Sequence, residues 1–227
     1  MNDLDYDCRY GLIYVFMKGD RPVPASKLCP FPSSISNKFH NNSCITWNYD
    51  MNINESYNFL AHINDINIVV DPNIGDKYAP IRLNPENNME SLLYFIADDL
   101  SLKYEFIDDV VIVIDRTRTK PIAQSNDPRL TKEIETKLSK LISYESDKKT
   151  IEQLVQSISS FTKSSVTFDA SVYKRNIHKK PVNMNFIATP AKTALSLMLW
   201  LNDLDYEYSN GTIIVYPRGE RPTFLYK

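Results

Sequence analysis

The residues best placed to do chemistry by charge are Lys174-Arg175-Asn176-Ile177-His178-Lys179-Lys180, a run in which five of seven side chains can be cationic. Such a cluster attracts phosphates and carboxylates, so Lys174, Arg175, His178, Lys179 and Lys180 are the candidate partner-contact residues, toward nucleic acid or an acidic protein. The competing reading is a solvated loop between two strands, salt-bridged to the connector. The exposed-aromatic stacking motif of RNA-binding sheets is not recognisable around it.

Paired carboxylates, Asp98-Asp99 and Asp108-Asp109, raise acid–base chemistry or a cation site. Adjacent residues on a helix or strand point in different directions, so each pair is a poor dyad and reads as a solvated helix end or a hairpin turn. His62 falls on the helix that carries Leu60 and Ile63, and neither it nor His178 has a Cys or Ser motif beside it. With 5 glycines there is no phosphate-cradling loop, and no nucleophile elbow or zinc-protease motif occurs. The expectation is a non-enzymatic chain with no catalytic residue and no cofactor. Zinc is not expected either, because no C-x-x-C spacing occurs and His40 near Cys44 is a lone pairing. The 3 cysteines, Cys8, Cys29 and Cys44, leave two readings open: a Cys29–Cys44 disulfide in an oxidising compartment, or three free thiols. Glycosylation patterns at Asn41 and Asn54 carry little weight in an Asn-rich chain.

The whole composition narrows the class. The 227 residues have room for about two small domains. A 43% hydrophobic content without low-complexity tracts indicates a packed chain, and a net charge of −2 argues against a protein built mainly to coat nucleic acid or anionic membrane. No apolar run is long enough to span a bilayer as a helix, and no signal peptide is visible.

The elements that hold these residues are repeated. Asn2-Asp3-Leu4-Asp5-Tyr6 recurs as Asn202-Asp203-Leu204-Asp205-Tyr206, and the match continues through Gly11/Gly211, Val15/Val215 and Arg21-Pro22/Arg221-Pro222. A self-match at a fixed offset is the signature of a repeat. Two fuller copies follow. Ile53, Tyr57, Leu60 and Ile63 form a helical stripe, matched by Ile151, Leu154, Val155, Ile158 and Phe161. Short strands follow at Asn67–Val70 and Ser165–Asp169, then Ala79–Leu83 and Lys180–Met184. A Leu-rich helix comes next, with Leu92, Leu93, Ile96 and Leu100 on one face and Ala194, Leu195, Met198 and Trp200 to Leu201 on its counterpart. Thr189 is expected as the second helix's N-cap, with Pro190 in its first turn. Each copy closes in a hairpin, turning at Asp108-Asp109 and at Asn210-Gly211, and Asn-Gly between alternating runs is a strong type I′ signal. The partial copy has the same hairpin, Asp5–Cys8 and Leu12–Phe16.

The expected fold is therefore α+β: tandem small β-α-β-β-α-β-β units, two helices packed on a mixed sheet, preceded by a partial unit that is hairpin only. Its parts are a terminal hairpin (1–22), a linker (23–43), a first complete unit (44–117), a connector (118–139) and a second complete unit (140–222). Lead-in strands are expected at Ile45–Tyr49 and Lys140–Tyr144, and a short charged helix at Thr131–Leu141. Tyr104, Tyr206 and Tyr208, among 14 tyrosines, are expected at the core edge with wet hydroxyls. Small sheets with free edges can take up a partner strand, and a lone hairpin is marginal in water and should dock somewhere.

The pattern carried by Ile63–Asp71, Ile81–Leu83, Leu92–Leu100, Leu102–Tyr104 and Val111–Ile114, and again by Phe161–Asp169, Val182–Met184, Ala194–Leu201, Leu204–Tyr206 and Ile213–Tyr216, resembles a known family. It is similar to the short N-terminal (STN) domain of secretins and TonB-dependent outer-membrane receptors, and to the C-terminal domain of FecR-type regulators. Ser101 and Asp203 replace the glycine usual before the Leu-x-Tyr motif, and no barrel segment is visible. The resemblance implies a periplasmic or envelope-associated interaction module, part of a longer chain, that docks partner proteins or sister subunits and can homo-oligomerise. The alternative is a cytoplasmic binder of nucleic acid or an acidic partner through residues 174–180.

Overall fold

In the computed structural model, residues 4–9, 12–21, 23–40, 51–78, 89–118, 132–145, 149–182 and 184–222 are described. The chain is α+β. In order it runs β1 (Leu4–Arg9), β2 (Leu12–Met17), α1 (Ala25–Leu28), α2 (Ser33–His40), α3 (Ile53–Asn64), β3 (Asn67–Val70), α4 (Met89–Asp99), β4 (Leu102–Ile107), β5 (Val110–Asp115), α5 (Lys132–Leu138), β6 (Leu141–Glu145) and β7 (Lys149–Thr150). Then come α6 (Ile151–Thr162), β8 (Ser165–Phe168), α7 (Ala170–Lys174), a 3-10 turn (Ile177–Lys179), β9 (Pro181–Val182), β10 (Asn185–Pro190), α8 (Ala191–Leu201), β11 (Leu204–Ser209) and β12 (Thr212–Pro217). It divides into two compact units, Met1–Ile66 with Asn73–Arg118, and Asn67–Pro72 with Thr119–Lys227. Among the described residues no helix is long and apolar enough to cross a membrane. The expected strands Ile45–Tyr49 and Ala79–Leu83, Cys44, the Asn41 glycosylation pattern and most of the connector lie outside the described residues.

The matched helices α3 and α6 are built alike at both ends. Asn52 caps α3 by accepting the Glu55 N–H while Glu55 accepts the Asn52 N–H, and Thr150 and Gln153 repeat that reciprocal box on α6. At the other end Asp65 and Lys163 both adopt the left-handed conformation, φ 51° and 54°, which stops a helix by redirecting its carbonyls. The first helical amide is also held the same way, Ile53 N–H by the Lys77 carbonyl at 2.9 Å and Ile151 N–H by the Lys180 carbonyl at 3.1 Å.

In the first unit β4 and β5 pair antiparallel around Asp108-Asp109, whose φ angles of 46° and 61° are the positive pair a type I′ turn requires. Residues 25–40, expected as irregular linker, instead form α1 and α2, which pack on α4, with α1 also against β4. The physical reason is aromatic burial. Phe31 sits with ring centroids 5.0–5.3 Å from Phe39, Tyr94, Tyr104 and Phe106, and Ile35 and Phe39 follow at helical spacing, 1% exposed. Covering the Leu-x-Tyr hairpin in this way dries Tyr104. It is 1% exposed, and its hydroxyl donates to the Leu93 carbonyl at 2.5 Å and lies 2.6 Å from the Tyr57 hydroxyl. The wet hydroxyl expected there is thus corrected. Burial drives the ionisation of Tyr57 and of Tyr104 well above the ordinary tyrosine range.

In the second unit α6 and α8 pack together, and the three-stranded sheet runs β11-β12-β8, β12 being antiparallel to β11 and parallel to β8. Asn210-Gly211 turns the hairpin with φ 48° and 80°, as the dipeptide implied. Beside this sheet β6 pairs with β10, a strand the sequence reading did not anticipate, across a bulge between Phe186 and Thr189 where Ala188 takes φ 46°. Because β10 continues to Pro190, the helix N-cap is Pro190 and not Thr189. The Asn67 side chain of β3 clasps β10: its Nδ2 donates to the Ile187 carbonyl at 2.8 Å and its Oδ1 accepts the Ile187 N–H at 2.6 Å.

Candidate interaction surface

The β1–β2 hairpin is the second unit's closing hairpin repeated at an offset of 200 residues. Leu4 pairs with Met17 and Tyr6 with Val15, as Leu204 pairs with Pro217 and Tyr206 with Val215. The local clasps are also shared. Asp5 accepts the Tyr6 N–H at 2.9 Å and Asp205 the Tyr206 N–H at 2.8 Å. Arg21 meets Asp7 at 2.8 Å and Arg221 meets Glu207 at 2.5 Å.

Burial separates the two. Leu204, Tyr206 and Val215 are buried, with α8 packed on β11. Leu4, Tyr6, Val15 and Met17 are 57%, 68%, 64% and 47% exposed, so one face of β1–β2 presents contiguous apolar side chains to solvent. Cys8, a free and exposed thiol, follows Tyr6 two residues on and so lies on the same face. The alternation Leu4-x-Tyr6-x-Cys8 was the signal available for this surface. The sequence places this hairpin by its match to residues 202–222 and names no residue of the face.

The basic run folds otherwise than as a plain loop. Asp169 caps α7, accepting the Ser171 N–H at 2.9 Å and its hydroxyl at 2.5 Å, and these bonds hold its carboxyl below the usual range. Lys174 ends α7, Asn176 turns the chain at φ 55°, and the 3-10 turn carries Ile177, His178 and Lys179. Lys174, Arg175, Lys179 and Lys180 are exposed. Arg175 makes a two-oxygen contact with Glu220 at 2.8 Å. His178 is 5% exposed, its ring 4.6 Å from that of Tyr173, so it sits beneath the surface the four cations occupy.

The other candidates resolve individually. Asp98 is not a solvated helix end: its carboxylate accepts Arg116 Nη2 at 2.6 Å and the Ala25 N–H at 2.8 Å, tying α1 to α4 and to the end of β5. Asp99 and His62 are exposed, and Asp108-Asp109 is the hairpin turn already described. Cys29 is a free buried thiol that donates to the Ala25 carbonyl and accepts the Tyr104 N–H, both at 3.3 Å, and burial raises its ionisation. Asn54 lies within α3, not in a loop. Among the described residues no three His, Cys, Asp or Glu side chains gather as a metal site would. No protein family, curated protein or solved structure matches this chain.

Proposed function

We propose that this chain is a non-enzymatic protein–protein interaction module of a bacterial envelope assembly of the secretin or TonB-receptor kind, acting as part of a longer polypeptide. The observation that carries the interaction half of this reading is the exposed apolar face of β1–β2, a surface whose structural twin at β11–β12 is buried. Contiguous apolar side chains on a hairpin that gains little stability from two strands favour docking on protein. The envelope half is supported by the Leu-x-Tyr hairpins and paired helices that resemble STN domains. It is tested by fractionating source cells and immunoblotting with an antibody to residues 45–220. A band much larger than the 227-residue chain in the envelope fraction supports it, and a soluble cytoplasmic band of the chain's own size overturns it.

A second reading rests on Lys174, Lys179 and Lys180, three exposed cations on one short segment. In that reading the segment binds RNA or an acidic protein. An RNA affinity that falls steeply with salt and disappears when Lys174, Arg175, Lys179 and Lys180 are replaced by Ala supports it. No binding at low salt overturns it.

A further inference from the structure

The Leu-x-Tyr hairpin occurs three times with one register: Leu4/Tyr6 opposite Met17/Val15, Leu102/Tyr104 opposite Asp115/Val113, and Leu204/Tyr206 opposite Pro217/Val215. In two of the three, a helix ending just before the leucine packs on the first strand, α4 on β4 and α8 on β11. There the Leu and Tyr are 0% and 1% exposed in one case and 1% and 9% in the other. The third hairpin has the same face and, among the described residues, no such cover. Its outer strand is incomplete too: β12 takes β8 as a parallel neighbour, whereas β1–β2 forms a two-stranded sheet among the described residues. The helix and the parallel strand that β1–β2 lacks among the described residues are two pieces that the second unit supplies together, as α8 and β8.

We infer that the exposed face of β1–β2 is the receiving surface for an amphipathic helix of the α4/α8 pattern, supplied by a further repeat of this kind. The occupant is a helix and not a free strand, because the uncovered side chains are those a helix buries in both completed copies. It presents small and larger apolar residues at α8 spacing, as Ala194, Leu195, Met198 and Leu201 do. Asn2-Asp3-Leu4-Asp5-Tyr6 is identical to the five residues that follow α8, so a helix grafted ahead of it can enter the hairpin as α8 enters β11. This deepens the interaction reading and rests on it for the surface, not for the compartment.

Cys8 reports on the face directly. The test joins residues 184–201 ahead of Asn2 of the full chain, so that the grafted helix enters the hairpin through the same Asn-Asp pair that joins α8 to β11. The alkylation rate of Cys8 is then followed by peptide mass mapping. A second graft, residues 150–201, also provides the parallel strand. The expected result is slowing of Cys8 alkylation by about tenfold or more in at least one graft, equivalent to about 1.4 kcal/mol of docking. A graft carrying L195D and M198D in the added helix should then label at the parent rate. If Cys8 labels at the parent rate in both apolar grafts, the inference is overturned, whatever the cell fractionation shows.

Discussion

Tyr6 and Tyr206 hold the same position in two hairpins of identical register, opposite Val15 and Val215, yet one is 68% exposed and the other 9%. The same local sequence therefore folds into the same local structure whether or not anything covers it. What differs is the work the face does.

That difference sets the first prediction. Leu204→Ala empties a buried position beneath α8 and should cost roughly 2–5 kcal/mol of stability. Leu4→Ala changes an exposed side chain and should stay within about 0.5 kcal/mol. Urea unfolding followed by tryptophan fluorescence measures both. Equal costs would mean that the β1–β2 face is covered in solution.

The buried pair Tyr57 and Tyr104 predicts alkaline sensitivity. Burial raises both ionisations in the folded chain, whereas the unfolded chain ionises near the ordinary value of about 10. The unfolded state then binds fewer protons, so the stability these groups contribute is complete below about pH 10 and declines above it. The Tyr57→Phe/Tyr104→Phe variant should lose less stability between pH 8 and 11 than the parent, measured by urea midpoints. An identical loss would contradict the dry placement of these hydroxyls.

Gly75 lies against the half-buried Asn54 side chain, which would have to move to admit a Cβ. A Cβ there would lie 2.0 Å from Asn54 Nδ2 and 2.6 Å from its Cγ. Gly75→Ala should cost about 1–3 kcal/mol through overpacking. Adding Asn54→Ala should recover most of that loss, a coupling that a double-mutant cycle reads directly.

The reciprocal caps on α3 and α6 predict matched penalties. Asn52→Ala and Thr150→Ala should each cost about 1 kcal/mol, since each removes the acceptor for an otherwise orphaned amide. Thermal unfolding of the two variants checks this, and no shift in either would mean that the caps contribute nothing.

Much of this architecture is legible in the sequence because its signals are local. Alternating Leu102, Tyr104 and Phe106, and Asn210-Gly211, encode hairpins through side-chain period and turn angle, and the stripes of α3 and α6 encode helices through spacing. What was illegible depends on distant partners. Nothing near Asp98 shows that Arg116 and the Ala25 amide will claim its carboxylate. Phe31, Ile35 and Phe39 do lie four residues apart, but the prolines of residues 22–32 mask the stripe until the face they cover is known. β10 is hidden for a related reason: its pairing with β6 includes a bulge, which breaks the alternation that marks a strand. The candidate face itself was half legible. The repeat placed Leu4, Tyr6 and Val15 on one hairpin, while their exposure is a property of what packs on them.

The most direct test of the central claim, that this chain works through protein contact at the β1–β2 face, is the labelling rate of Cys8 in source cells against that in the purified 227-residue chain. A permeant maleimide and peptide mass mapping give both rates. The account predicts that Cys8 is shielded in the cell, labelling about tenfold or more slowly, which corresponds to about 1.4 kcal/mol or more of coverage. Equal rates would show the face open in its native setting and contradict the account.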